Sequence, residues 1–410
     1  MTLVGLGAGV TYTLLFISLY FEVFMLISFL ERSKSLASVA ATTRFPKVTI
    51  VVPCFNEEKT LANTLASLLS LRYPSHLLDI IVVDDGSVDQ TLAVARTFEG
   101  DSRIRVFHKE NAGKHSAMNF ALSKSDAELI GCLDADSIVD SEALSRVVPV
   151  FDNTRIGAVT PGIHVRDPQT MLQHMQHVEY RLSIFNRFIL AALGSAFITP
   201  GPFSIFRASV VRELGGWRHG HSTEDMEMAL RIQQEGHLIA NAPNAVVYTS
   251  TPRTLKALFR QRVRWTYGFL KNAADYWHMF GSHRYGNLGV IVLPTALISI
   301  GTGIFFFFRM LFFTIQDVLT VYGHYQIAGM VAPHPTFQLF FVNTSAIWFL
   351  VMMSLILILA LISAGSLIGT GSRKLPLSTP LFMLFYCFLV PLWLSAAVVR
   401  AGVGKGVRWR

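Results

Sequence analysis

The chain has 410 residues, 51% of them hydrophobic and only 15% charged, with a mean hydropathy of +0.44. Soluble domains carry roughly 25% charged residues, so much of this surface is built for lipid; a disordered chain, a collagen-like fibre and a disulfide scaffold are excluded. Thirty-five Lys and Arg against 27 Asp and Glu leave a net charge of +8, which in so apolar a chain points to loops held at an anionic leaflet before it points to nucleic acid. Cys54, Cys132 and Cys387 lie far apart without metal-like spacing, and a reducing compartment suits the domain that holds the first two.

Residues 1–31 predict an N-terminal transmembrane helix. From Leu3 to Leu30 the only charge is Glu22, and a bilayer crossing needs about 20 residues. A cleaved signal peptide, hinted at by Ala37, Val39 and Ala40, lacks a basic start and has too long an apolar run. Arg32, Lys34, Arg44 and Lys47 follow the span, so the middle of the chain is expected in the cytoplasm and the protein in the inner or plasma membrane.

Residues 45–252 predict an α/β domain. Val48–Val52, Asp79–Val83, Ile104–Phe107 and Leu129–Leu133 are short apolar runs, while Leu61–Leu71 and Thr91–Phe98 have helical spacing. Continuous apolar strands alternating with helices argue for a mainly parallel sheet with helices on both faces. Ligands of such sheets bind beyond the carboxyl ends of the strands.

Residues 253–286 predict interfacial amphipathic helices, and 287–402 a C-terminal transmembrane region of about three spans: Gly289–Phe313 with Arg309 late in it, Phe337–Ile362, and Leu377–Val399 with Pro380 and Pro391. Arg373 and Lys374 mark the loop between the last two as cytoplasmic. That count leaves Arg400 and the basic tail 403–410 (Lys405, Arg408, Arg410) outside, against the charge tendency. Either 288–322 bends into a hairpin or the tail breaks the tendency. Phe305–Phe308 reads as packing, and Arg309 as a lining of a polymer path or a snorkelling charge.

Three strand ends carry polar clusters. Pro53-Cys54-Phe55-Asn56-Glu57-Glu58 reads plainly as a loop and helix start, and Asp84-Asp85-Gly86-Ser87-Val88-Asp89 as a turn and cap. Asp134-Ala135-Asp136 puts two carboxylates at i and i+2, where both can turn toward one divalent cation that also takes phosphate oxygens. Asn111-Ala112-Gly113-Lys114-His115 brings a lysine within reach of a diphosphate without Walker spacing. Further on lie Gly201-Pro202-Phe203-Ser204, Ser222-Thr223-Glu224-Asp225 and Gln261-Arg262-Val263-Arg264-Trp265. A capping box and an amphipathic surface helix are the plain readings of the last two. His219 and His221, in a glycine-rich loop without a third ligand, read as part of a mobile segment leading to Asp225.

Taken in order, these pieces resemble the family 2 glycosyltransferases, and the TED and QxxRW motifs resemble the membrane-embedded polysaccharide synthases making cellulose, chitin, hyaluronan and poly-N-acetylglucosamine. Gln176-His177-Val178-Glu179-Tyr180 is most similar to the last of these. The resemblance covers roughly Val48 to Trp277 and implies a GT-A fold. It implies that Asp85, with Asp84 beside it, contacts the uracil, that Pro53, Phe55 and Glu57 form the base pocket, and that Lys114 lies near the nucleotide. Asp136, with Asp134 close by, would hold Mg²⁺ or Mn²⁺.

Inverting transfer from a diphosphate needs a base, a charge clamp and a positioned acceptor. Asp225 is the candidate base and Glu224 its lesser neighbour. Lys114, Arg262 and Arg264 would steady the diphosphate, with Gln261 and Trp265 also on the donor side. Trp265 and the loop at Gly201 and Pro202 would floor the acceptor site. No covalent intermediate is required, so Cys54 and Cys132 read as small apolar residues.

The expectation is an inverting enzyme that moves a sugar, by resemblance N-acetylglucosamine, from a UDP-sugar to a growing polysaccharide and feeds it across the membrane, with a secretion partner in view. A non-processive transfer of one sugar to a membrane lipid and an inactive nucleotide-binding module are the alternatives. No basic patch with interleaved aromatics supports nucleic acid.

Overall fold

The structure, a computed structural model, describes residues 3–32, 44–329 and 345–404. Lys34, Ala37, Val39, Ala40, the first residues of the expected second C-terminal span, and Lys405, Arg408 and Arg410 lie outside the described residues.

After helix α1 (Leu3–Arg32) the chain runs β1 (Val48–Cys54), α2 (Leu61–Leu69), β2 (Leu78–Asp85), α3 (Thr91–Arg96), β3 (Ile104–Lys109), α4 (Lys114–Ser123), β4 (Leu129–Cys132), β5 (Ser137–Val139) and α5 (Ala143–Val147). It continues through β6 (Ile156–Val165), α6 (Met171–Ala192), β7 (Ser204–Arg207), α7 (Ala208–Glu213), α8 (Glu224–Gln234), β8 (Leu238–Thr249) and α9 (Leu255–Asp275). Three long helices follow, α10 (Leu293–Ala328), α11 (Ala346–Thr370) and α12 (Thr379–Val403).

The strands form one sheet in the order β3-β2-β1-β4-β7-β6-β8-β5. β1 pairs in parallel with β2 and β4, β2 with β3, and β6 with β8, while β7 runs antiparallel to β4 and β6, and β5 to β8. The sheet is therefore mixed. The parallel half is the half whose runs alternate with helices in the sequence; β7 reverses because it starts at the edge where β4 ends, Ser204 opposite Cys132.

Successive residues of the inner strands feed two cores, which is why their sequences are apolar throughout. Val48, Ile50 and Val52 pack with Leu61, Leu65 and Leu68 of α2 and with α5, whereas Val51, Ile81 and Val83 pack with Met118 of α4 and with α7 and α8. Each such side chain is fully buried, a gain of about 1.5–3 kcal/mol apiece.

Among the described residues four helices are long and apolar enough to cross a membrane: Gly7–Arg32, Leu288–Ile327, Ala346–Thr370 and Thr379–Val403. The hairpin alternative for 288–322 is not what the structure has. α10 is one helix of 36 residues, roughly 54 Å long at the usual rise, because nothing in it breaks the hydrogen-bond ladder. Glu22 in α1 accepts from Ser354 of α11 at 3.1 Å, which answers the polar group in an apolar bundle. Arg309 stacks on Phe313 at 4.8 Å and lies against Gly7 of α1. α6 and α9 form a layer between the sheet domain and these helices, α6 packing on α11 and α9 on α12.

Candidate active site

Because β1 and β2 run side by side with Cys54 opposite Asp84, their following loops leave the same edge. Asn56, in the left-handed region at φ 56°, donates its amide to Ser87 Oγ (2.9 Å) and accepts from the Val88 amide (3.0 Å), while the Glu57 amide donates to Thr91 Oγ1 (2.7 Å). The two loops thus form one braced wall, with Pro53, Phe55 and Glu57 half-buried in it.

Asp85 accepts from Lys109 Nζ (2.6 Å) and from the amides of Ala112 (3.1 Å) and Gly113 (2.8 Å). Its carboxylate holds the turn that presents Lys114. Asp84, completely buried, pairs with His108 Nδ1 on β3 at 2.6 Å and so ties two strand ends together.

Lys114 opens α4 and joins motifs that are far apart in sequence. Its Nζ lies 2.5 Å from Asp134 Oδ1 and 3.6 Å from Glu224 Oε1. Burial alone would lower the ammonium pKa; the carboxylates of Asp134 and Glu224 outweigh it and hold the group well above its ordinary value. Gly201 lies directly over this pair, since a Cβ there would run into Lys114 Nζ and the Asp134 carboxylate. Lys114, Cys132, Thr199, Gly201, Glu224 and Asp225 line one small cavity.

Asp136 accepts from Ser137 Oγ at 3.2 Å. Burial, then the negative charges of Asp134 and Glu57, push its carboxyl up to about 7. Two crowded carboxylates relieved by a cation are a donor set that fits Mg²⁺ or Mn²⁺, with the remaining oxygens coming from a diphosphate and water. Among the described residues no group of three His, Cys, Asp or Glu forms a complete metal cage.

Asp225 follows a strained turn in which His221 (φ 53°) and Ser222 (φ 68°) are both left-handed. The turn is tied to α9: Arg264 donates to the Ser222 carbonyl (3.0 Å), Asn272 to the Gly220 carbonyl (3.2 Å) and to Thr223 Oγ1 (2.9 Å), and His221 Nε2 pairs with Asp275 at 2.7 Å. The segment expected to be mobile is thus braced by four contacts to one helix. Thr199 donates its amide and hydroxyl to the Asp225 carbonyl, at 3.2 and 2.7 Å, which joins the Gly201 loop to the same point. Burial, then Glu224, raise the Asp225 carboxyl to about 6, against the opposing charges of Lys114 and Arg264.

Trp265 is 38% exposed. Arg262 stacks on its ring at 4.2 Å, donates to Gln261 Oε1 (3.0 Å) and pairs with Glu179 of α6 at 2.6 Å. Glu179 also accepts from Tyr386 of α12 at 3.1 Å. Arg262, expected beside the diphosphate, is therefore committed to the α6–α12 layer, and Arg264 is the QxxRW arginine whose charge reaches Asp225. Cys54 and Cys132 are buried, and burial pushes the Cys132 thiol up to about 12, away from the thiolate form. The sequence carried no sign of Thr199 or Asn272; Glu179 lay inside a recognised segment without an assigned partner.

Residues 46–268, more than half of the chain, match the model of glycosyltransferase-like family 2. The chain is 30% identical over 261 residues to the poly-β-1,6-N-acetyl-D-glucosamine synthase of Staphylococcus epidermidis (62% of this chain, 63% of that protein) and 32% identical over 225 residues to the Staphylococcus aureus one (54% of each). It thus spans less than two thirds of the length of these relatives. In architecture it is similar to the mannosyltransferase PcManGT from Pyrobaculum calidifontis, solved with GDP-Man and Mn²⁺, at TM-score 0.58 and 18% identity over 96% of this chain and 99% of that one. With its sheet, its motifs and the family model in agreement, the chain belongs to glycosyltransferase-like family 2, in a membrane-embedded form.

Proposed function

We propose that the protein is an inverting, UDP-sugar-dependent hexosyltransferase that adds N-acetylglucosamine to a growing polysaccharide at the cytoplasmic face and passes the product toward the membrane helices. The observation that supports this most is Lys114, which joins the DxD carboxylate Asp134 to Glu224, next to Asp225, beneath the Gly201 loop. The likeness to the staphylococcal synthases supports the donor.

The wall of Pro53, Phe55 and Glu57 takes the base, with Asp85 at its edge. Asp136 and Asp134 would hold Mg²⁺ or Mn²⁺, which when bound would neutralise charge on the departing diphosphate. Lys114 and Arg264 add fixed positive charge beside that position. Asp225 accepts the proton of the attacking acceptor hydroxyl; its raised pKa makes it a stronger base than an exposed aspartate while leaving it ionised near neutrality. The exposed face of Trp265 and the Gly201–Pro202 loop floor the acceptor ring.

The test is turnover of the full chain in detergent or lipid with Mg²⁺ or Mn²⁺ and a panel of UDP-sugars, products sized by mass spectrometry. A ladder of N-acetylglucosamine polymer is expected. One sugar transferred to a lipid would replace the processive reading, and no transfer from any nucleotide sugar would overturn it.

A further inference from the structure

The end of α9 touches both sides of Asp225. Asp275 pairs with His221 of the preceding turn at 2.7 Å. The next residue, Tyr276, donates its phenol to Glu227 of α8 at 2.8 Å, and α8 is the helix that begins at Glu224. Tyr276 and Glu227 are both buried, and Glu227 is held in turn by Arg231 at 2.7 Å. A displacement of the last turn of α9 would therefore carry with it the segments on either side of Asp225.

The residues that follow are poorly suited to water. Trp277 is 61% exposed and lies nearly flat against Phe280, with ring centroids 4.9 Å apart and planes 19° apart. Phe280 packs on an apolar cluster of Met279, Leu288 and Leu293, which continues to Leu297 and Ile300 of α10. That helix is long and apolar enough to cross a membrane from Leu288 onward. The stacked pair is thus the outer end of an apolar surface that runs into a membrane span. The other side of the same segment is polar: Asp275, Tyr276 and His278 line an open cleft with Arg218 and His221.

Backbone contacts fix the level of the pair. The Gly281 amide donates to the Gly289 carbonyl at 2.8 Å, and a Cβ on Gly289 would run into the carbonyls of Met279 and Ser282. Residues 279–289 are thereby folded against the start of α10. The charges agree with that level. From Tyr276 to Gln316 the sequence has no Asp or Glu, while His283 and Arg284 are exposed, Arg284 lying 5.8 Å from the Tyr285 ring centre. Exposed aromatic and basic side chains at the mouth of an apolar helix suit the headgroup layer, which is apolar enough for an indole ring and wet enough for its N–H.

On the reading of Asp225 as the base, we propose that Trp277 and Phe280 sit in the lipid headgroup layer on the side of the sheet domain, with Arg284 at the phosphates. This anchor holds the end of α9 and, through Asp275 and Tyr276, the segments that flank Asp225. The partner is the lipid surface itself.

The experiment uses the full chain, labelled with 5-fluorotryptophan, in nanodiscs. The chain has six tryptophans; the ¹⁹F signal of Trp277 is the one lost in Trp277→Phe. A nitroxide carried on the lipid headgroup is expected to broaden that signal more than a soluble gadolinium chelate does. The reverse order would leave the pair open to water and overturn the anchor. Trp277→Ser should lower kcat about tenfold with donor KM within about threefold, and Trp277→Phe, which keeps an aromatic ring, should recover at least about half of the wild-type rate. A folded Trp277→Ser with wild-type kcat would overturn the link to Asp225. If Trp277→Ser does not fold, the exposed variant Arg284→Glu takes its place: its kcat is expected to fall further in discs rich in phosphatidylglycerol than in discs of phosphatidylcholine, and equal rates would overturn the link. Should the chain transfer no sugar at all, the proposed function and the link fail together, while the broadening still decides the anchor.

Discussion

Asn272 donates to Thr223 Oγ1 at 2.9 Å across 49 residues of sequence, and through that bond the helix carrying the QxxRW motif holds the turn that carries Asp225. The fit is close: a Cβ on Gly268 would run into the Thr223 side chain, so α9 and the turn have one way of docking. Thr223 passes the constraint on, donating to the Gly220 carbonyl at 2.9 Å.

Asn272→Ala is therefore expected to lower kcat at least tenfold while leaving the donor KM within about threefold, because it disturbs the base and not the nucleotide wall. It also removes two hydrogen bonds from a fully buried residue, a cost of about 1–3 kcal/mol to be read as a lower midpoint in thermal unfolding. Gly268→Ala should act the same way. An unchanged kcat in both would show that the brace does not reach the base.

The Asp225 carboxyl, raised to about 6 by burial and by Glu224, must be ionised to accept a proton. Turnover should hold above about pH 7 and fall roughly tenfold per unit below about pH 6. Asp225→Asn should abolish transfer and leave donor binding nearly intact. A kcat/KM profile that stays flat down to about pH 5 is incompatible with this base.

Lys114 lowers the pKa of Asp225 and faces Asp134 and Glu224. Lys114→Gln should thus have two effects: a weaker donor KM, from the lost positive charge, and an acid limb displaced to higher pH. The second effect separates an electrostatic role from simple misfolding, which would leave the limb of the surviving enzyme in place.

Asp136→Asn removes one of the two crowded carboxylates. Half-maximal activity is then expected to need about 10–100-fold more Mg²⁺ or Mn²⁺, and chelation should silence the wild type reversibly. Metal titrations that superimpose for wild type and variant would remove Asp136 from the metal site.

The first four strands, the clusters at their ends and the four long helices were readable in the sequence, since each is a local signal: a continuous apolar run, a polar group where that run stops, or a stretch longer than a bilayer; β6, β7 and β8 were not expected. The direction of β7 was not readable, because a four-residue apolar strand has no local mark of which way it enters a sheet. Nor was the fate of Arg262. Two residues before Arg264, it lies about 200° away around the helix and meets Glu179 of α6.

Residue type and spacing, read alone, determined the family and the candidate groups proposed for nucleotide, metal and proton transfer, since those depend on chemistry and local period. Which groups meet was decided by the tertiary structure. Lys114 reaches both Asp134 and Glu224, Asp85 spends its oxygens on the turn before Lys114, and Arg262 turns to Glu179 of α6. Hydrogen bonds and Coulomb attraction act over a few ångströms of space, and only the packing of α4, α6, α8 and α9 around the sheet brings these side chains that close.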